Sequence, residues 1–454
     1  MSTYSVHTRS VSRRGLVRAT AATAAVIALA ACAAPEGAAS GSGSAAAVSD
    51  GSGTGPVAAI EDHALPLDPE ALAGLTGDAR VVGLGEASHG GRQFFALKGE
   101  MFRHLVTTRG FTTFALETSW STGLRLDDYV VHGIGDPAAI MAEEFQGQYV
   151  FWNNDDYLDL VRWMREYNLA HPAESDLRFV GNDLGYPGPD SFDRVGDYLA
   201  AHQPELADRI GELYADLRPA PGTQAGAWMV AQLGKEQPRR EAEAERARAA
   251  TALIREHGTT NPAPGHEWAL RNATAIEQSF TGYAFSDEQF AERMRYRDRT
   301  MAENTAWWLE HDAGRILLAS NNSHLAYTSA DPEFPEPAGA ELRRRLGDRY
   351  VNVGLTFHQG SIGALPDPTA DRPATYPVPP APAGHTEHTL DQVGHRDFAL
   401  DLRTAPAPVR DWFTPARPTR SYGLYWASEA PRTALLDSYD VLVHLHQVDA
   451  ALPR

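Results

Sequence analysis

Six short apolar runs punctuate the chain, at 81–85, 112–116, 177–180, 315–319, 350–356 and 441–445. Each is short and largely apolar, which predicts buried strands. After the first run, Phe94, Met101, Phe102 and Leu105 recur at three- and four-residue spacing, and Gly110 supplies a stop. That spacing predicts an amphipathic helix. Strands alternating with helices imply an α/β fold with a mainly parallel central sheet flanked by helices. From about 190 to 311 the strand signals vanish, and 206–217, 227–257, 267–283 and 290–308 all carry helical spacing. This stretch predicts an α-helical insertion subdomain forming one wall of a cleft. The segment 365–384 is Pro-rich and predicted to be irregular, and no internal repeat is found.

The N-terminus reads as a targeting segment. Arg9, Arg13, Arg14 and Arg18 precede an Ala/Val/Ile/Leu stretch ending in Leu29-Ala30-Ala31-Cys32, too short to span a bilayer comfortably. Leu-Ala-Ala-Cys resembles a bacterial lipobox, which implies lipidation at Cys32 and a membrane anchor on the outer face of the cell membrane. Ser12-Arg13-Arg14-Gly15-Leu16 resembles a twin-arginine export signal. Cys32 is the only cysteine, so no intramolecular disulfide can form and the domain that follows has no thiol for catalysis or metal binding. Residues 33–57 are Gly, Ser and Ala with little to bury, which predicts a flexible tether, leaving 58–454 as the folded domain. The net charge of −19 argues against nucleic-acid binding, which needs clustered Lys and Arg. An acidic solvated surface on an exported protein accounts for it.

In a parallel sheet, ligands bind beyond the carboxyl ends of the strands, so the closing residues carry the chemistry. The first run leads into Gly85-Glu86-Ala87-Ser88-His89-Gly90, the second into Glu117, the third into Asn182 and Asp183, the fourth into Asn321, Asn322 and His324, and the fifth into His358. Any one of these is ordinarily a helix cap or a solvated group. Five polar strand ends together point to a site. Lys98 stands on the same stripe as Phe94, Met101 and Phe102, which should face the sheet. Its ammonium either pairs with Glu86 or Glu117 or snorkels to water along its stem, and spacing alone leaves both open.

Several blocks closely resemble the erythromycin esterase family: Gly85 to Gly90 with Phe95 and Lys98, then Gly110-Phe111-Thr112-Thr113-Phe114-Ala115-Leu116-Glu117, then Trp163-Met164-Arg165-Glu166-Tyr167-Asn168. Further on come Arg178-Phe179-Val180-Gly181-Asn182-Asp183, Arg297-Asp298-Arg299-Thr300-Met301-Ala302-Glu303-Asn304 and Asn322-Ser323-His324. The resemblance covers nearly all of the chain after the tether. It implies hydrolysis of a macrolide lactone or related ester, with a role in the response to antibiotic, and neither metal nor cofactor. Carried over residue by residue, it implies His89 as the general base activating water, with Glu86 and Glu117 setting its charge and orientation. Lys98 falls where the family carries a basic residue, and His324 on the second histidine of a His-Asn-x-His block. Asn321 stands where the family commonly has the first histidine, and asparagine cannot shuttle a proton near neutral pH. Asn321, Asn322, Asp183, Trp152 and Arg297 are candidates for substrate binding or secondary roles.

Two other readings stay open. His89, His324, Glu86 and Glu117 would also suit a metal-dependent hydrolase, although Lys98 among the carboxylates competes with a cation, and the metal-free reading is preferred. A non-catalytic small-molecule-binding lipoprotein would use the same cleft, with Tyr149, Phe151 and Trp152 lining it. A serine hydrolase is disfavoured because no Gly-x-Ser-x-Gly elbow occurs. His385, His388 and His395 read as exposed loop histidines rather than metal ligands. Neither the natural substrate nor the oligomeric state is specified by the sequence.

Overall fold

In the strands β2 (Val81–Leu84) and β5 (Ile316–Ala319) every residue is buried, the pattern of interior parallel strands covered on both faces. The computed structural model describes residues 55–454 except 175, 261–262, 313, 368–369, 371 and 428. The leader, Cys32 and the tether up to residue 54 lie outside the described residues. The first described helix begins at Pro56, inside the range read as tether.

The remaining strands are β1 (Leu65–Pro66), β3 (Thr113–Ser119), β4 (Arg178–Asp183), β6 (Tyr350–Ala364), β7 (Ala374–Val378), β8 (Phe398–Asp401), β9 (Arg417–Pro418), β10 (Arg432–Thr433) and β11 (Val441–Val448). The main sheet runs β1-β8-β11-β6-β2-β5-β3-β4, with β7 added to β6, while β9 and β10 form a separate pair. From β11 to β4 all neighbours are parallel, and these are the six strands expected from the apolar runs. Antiparallel β8, β1 and β7 make the sheet mixed.

β6 is much longer than the run 350–356 suggested, because it changes partners along its length. It pairs with β2 at its start, β11 through its middle and β7 at its end. The change to β7 occurs at Gly360, with φ 127°, where a Cβ would lie 1.9 Å from the Val448 carbonyl. The partner β7 lies within the Pro-rich segment expected to be irregular, which corrects that expectation. Its side chains are mostly exposed, so no burial alternation betrays it.

The helix Arg92–Arg109 follows β2, its inner stripe buried, and ends at Gly110 in the left-handed conformation. Helical structure fills the region between β4 and β5, and it begins with Pro189–His202, a helix the spacing analysis missed. The expected helix over 227–257 is two helices, Ala225–Leu233 and Gln237–Thr260, interrupted around Gly234. The last helix, Phe290–His311, returns onto the sheet. Its Asn304 donates to the Asn182 carbonyl at 2.9 Å, and Asn182 donates to Thr305 at 3.1 Å. Among the described residues no helix is long and apolar enough to cross a membrane.

Candidate active site

The strand order places the ends of β2, β5, β3 and β4 in a row, so β5, far away in sequence, inserts its polar end between Glu86 and Glu117. The turn after β2 is built on glycines. A Cβ on Gly85 would meet the Asn322 amide oxygen at 2.1 Å, and one on Gly90 the Gly363 carbonyl at 2.0 Å. The Gly90 carbonyl accepts from the N–H groups of Gly363 and Ala451, both at 2.8 Å, which pins the turn to the sheet.

That turn presents His89 with its Nδ1 2.7 Å from Glu86 Oε1. The other Glu86 oxygen accepts from Lys98 Nζ, and both of these side chains are fully buried. Lys98 therefore pairs with Glu86 rather than snorkelling. Burial pushes the Lys98 ammonium down, opposed by the Glu86 charge and hydrogen bond. The ring of Trp152 stands edge-on to His89 at 5.0 Å, and its indole N–H donates to the Glu117 carbonyl at 2.8 Å. His89 is 5% exposed, and among the described residues nothing bonds its Nε2.

Glu117 lies inside β3, at the register irregularity between Leu116 and Ser119, rather than just beyond the strand. Its Oε2 accepts from the Ser320 hydroxyl at 2.6 Å and the Asn321 N–H at 3.0 Å, and its Oε1 from Arg297 at 2.8 Å. Burial would raise the Glu117 carboxyl, but His324, Arg297 and His89 hold it well below the ordinary range. Arg297 also grips Asp183, donating from Nη2 at 2.6 Å and from Nε at 3.0 Å. Burial would lower its pKa, but Asp183 and Glu117 raise it well above the ordinary value.

His324 completes this half. Its Nδ1 lies 2.8 Å from Asp298 Oδ1, while its Nε2 lies 3.1 Å from Arg297 Nη1 and 3.3 Å from Glu117 Oε1. A neutral ring donates from Nδ1 to Asp298 and accepts from Arg297 at Nε2. A protonated ring donates from Nε2 to Glu117 instead. Burial would lower its pKa, but Asp298 and Glu117 outweigh burial and Arg297, holding His324 well above the ordinary histidine range. Asp298 and Glu117 thus favour the protonated form of His324, while His89 is the histidine with a ring nitrogen free of hydrogen-bond partners among the described residues.

The secondary candidates fall out differently. Asn321 caps the short helix Asn322–Leu325, its Oδ1 accepting from Ser323 at 3.0 Å, and its Nδ2 donates to the Tyr422 carbonyl at 3.3 Å. Asn322 is a backbone clamp on β6, bonded in both directions to Leu355 at 2.6 and 3.0 Å. Tyr149 places its hydroxyl 3.0 Å from Asp183 Oδ2 and 2.7 Å from the Leu184 carbonyl. His358 lies within β6 instead of beyond it and is part of a different cluster around Asp391. His388 sits 3.1 Å from the Ala381 carbonyl.

Sequence reasoning missed Ser320 and the role of Asp298. Ser320 directly follows β5 and could have been found by the strand-end rule. Asp298 adjoins Arg297 on one helix, and the two flank His324. Among the described residues the Tyr157 hydroxyl is also buried without a hydrogen-bond partner, under the electrostatic influence of Glu86 and Glu117.

A sequence model described as erythromycin esterase matches residues 106–448, well over half of the chain. The chain belongs to the erythromycin esterase family. The opening turn with Glu86 and His89 lies just before the matched span. Erythromycin esterase type II of Escherichia coli is 26% identical over 325 residues, covering 66% of this chain and 74% of that protein. Among solved structures, a Bacillus cereus protein superposes with TM-score 0.79 at 25% identity, covering 88% of this chain and 98% of the other. A succinoglycan biosynthesis protein gives TM-score 0.77 at 25% identity, with the same coverage. An erythromycin esterase mutant in its open conformation shares the fold, with TM-score 0.64 at 18% identity over 84% of this chain and 93% of that one.

Proposed function

We propose that this erythromycin esterase family member hydrolyses an ester or lactone, including macrolide lactones, with water activated by His89. The observation that carries the reading is the asymmetry of His89: its Nδ1 is held by buried Glu86, while Nε2 has no partner among the described residues. Glu86 fixes the tautomer and supports the imidazolium that forms, the part a carboxylate plays behind a catalytic histidine. In the proposed step His89 Nε2 takes a proton from water as the oxygen attacks the carbonyl carbon. The acyl C–O bond then breaks, the leaving oxygen receives a proton, and a carboxylic acid and an alcohol result. Arg297 and His324 supply fixed positive charge for the oxyanion, Glu117 holds both, and Lys98 holds Glu86.

A metal-free course is supported by the engagement of the carboxylates. Lys98 takes Glu86, while Arg297, His324 and Ser320 take Glu117. Among the described residues no group of three His, Cys, Asp or Glu is placed to hold a metal ion. We further propose export and lipid anchoring through Cys32, supported by Leu29-Ala30-Ala31-Cys32 and the paired arginines before it.

The test incubates the protein with macrolides and simple esters, with and without chelator, and follows product mass. A gain of one water, unaffected by chelator, is expected. No hydrolysis across the panel would remove the esterase reading in favour of a binding protein, and loss on chelation would remove the metal-free course. For the anchor, metabolic labelling with a palmitate analogue should mark the wild type and not Cys32→Ala. Equal labelling of both would refute lipidation at Cys32.

A further inference from the structure

Asp298 follows Arg297 on the helix Phe290–His311, and one oxygen of its buried carboxylate holds two groups. Its Oδ1 accepts from the backbone N–H of Ala338 at 2.9 Å and lies 2.8 Å from Nδ1 of His324. Ala338 opens the helix Ala338–Leu346, whose N-cap, Pro337, makes no side-chain cap bond. That helix rests directly on the short helix carrying His324, for a Cβ on Gly339 would stand 1.9 Å from the Leu325 carbonyl. Asp298 thus caps one helix from outside it and gives the His324 ring a fixed acceptor.

Charge balance gives that acceptor a second part to play. Glu117, Asp183 and Asp298 are buried around Arg297 and His324, which are buried as well. Arg297 is shared by Glu117 and Asp183, whereas Asp298 meets His324. A second cation beside Arg297 is unfavourable unless a further carboxylate offsets it, and Asp298 is placed to do so. Burial, the strongest influence, and Arg297 press the ring towards neutrality, and Asp298, ahead of Glu117, opposes them. The other groups around the short helix are engaged elsewhere. The Tyr350 and Tyr439 hydroxyls donate to the Leu325 and Asn322 carbonyls, both at 3.1 Å. Glu341 is taken by Arg344 and Arg345, and Glu86 by Lys98 and His89.

We propose that Asp298 is a positioning residue for the reaction at this site: it binds His324 Nδ1, turns Nε2 towards Glu117 and Arg297, and supplies the charge that lets a second cation stand there. It acts on the oxyanion through His324, as a buried aspartate orients a catalytic imidazole without itself taking the proton. The role in the reaction rests on the hydrolase reading above, and the hold on the ring does not.

Asp298→Asn separates the cap from the charge, because an amide oxygen still accepts from Ala338 and His324 while the negative charge is lost. The His324 ring is followed by ¹⁵N NMR against pH in wild type and Asp298→Asn, with His324→Gln to assign its signals and circular dichroism to establish folding. Asp298→Asn should bring the His324 titration to lower pH and move the alkaline limb of the pH–rate profile with it. With ester substrate at pH 8, kcat should fall about 10²-fold with KM little changed, the loss of one oxyanion-stabilising charge. An unmoved titration would make Asp298 a helix cap alone, and a moved titration with an unmoved pH–rate profile would remove its role in the reaction. Either result overturns the inference. So does a wild-type spectrum in which Nδ1 of His324 carries no proton near neutral pH, a measurement that needs no variant to fold. Turnover in wild type with an unmoved titration sinks this inference alone. A moved titration with no ester hydrolysed sinks the hydrolase reading and leaves the hold of Asp298 on the ring standing.

Discussion

Lys98 and Glu86 face one another with no solvent reaching either side chain, and the Glu86 carboxylate is divided between Lys98 and His89. Two buried charges hold each other only while both are present. Lys98→Met should cost about 3–5 kcal/mol by leaving Glu86 buried and unpaired. Denaturant unfolding checks this, and adding Glu86→Gln to Lys98→Met should recover part of the loss. A Lys98→Met protein with unchanged stability and turnover would show that the pair has no role.

The turn that carries His89 is tied to the sheet by the closeness of two glycines. A Cβ on Gly90 would stand 2.0 Å from the Gly363 carbonyl, and backbone cannot swing aside as a flexible side chain can. Gly90→Ala should therefore destabilise by about 1–3 kcal/mol and lower turnover by displacing His89. The control is Gly74→Ala in an open helical position, where a Cβ meets nothing within 4 Å and stability should hold or rise slightly.

His324 carries a pH signature. Its folded pKa lies well above the ordinary value of 6.5, held there against burial by Asp298 and Glu117. A group raised in the folded state stabilises fully below its unfolded pKa and loses that contribution as pH climbs through the folded pKa. The stability advantage of wild type over His324→Gln should be greatest below about pH 6.5 and shrink as the pH rises above it. Unfolding free energies measured at pH 6 and pH 9 decide it, and an advantage that grew with pH would contradict the charged state assigned to His324.

The six parallel strands were legible because buried parallel strands leave continuous apolar runs, as Val81-Val82-Gly83-Leu84 shows. The order of those strands was not. Nothing in the run 315–319 tells that it lies between β2 and β3, and that placement brings Ser320 and His324 to Glu117. β7 stayed hidden because its residues are mostly exposed, and the break at Gly234 because alanine-rich helical spacing continues on both sides of it. Lys98 was found on the right stripe, but its partner depended on a turn whose path only the fold defines. Asn321 and Asn322 show the opposite error, since polar residues at a strand end can serve the backbone, as a helix cap and a clamp on Leu355.

The central claim is that His89 Nε2 takes the proton from the attacking water. The most direct test hydrolyses an ester substrate in ¹⁸O-water and compares wild type with His89→Ala by mass spectrometry of the products. The account predicts one ¹⁸O in the product carboxylate and a rate about 10²- to 10⁴-fold lower in His89→Ala, with the variant still folded. Turnover by His89→Ala at the wild-type rate would contradict it.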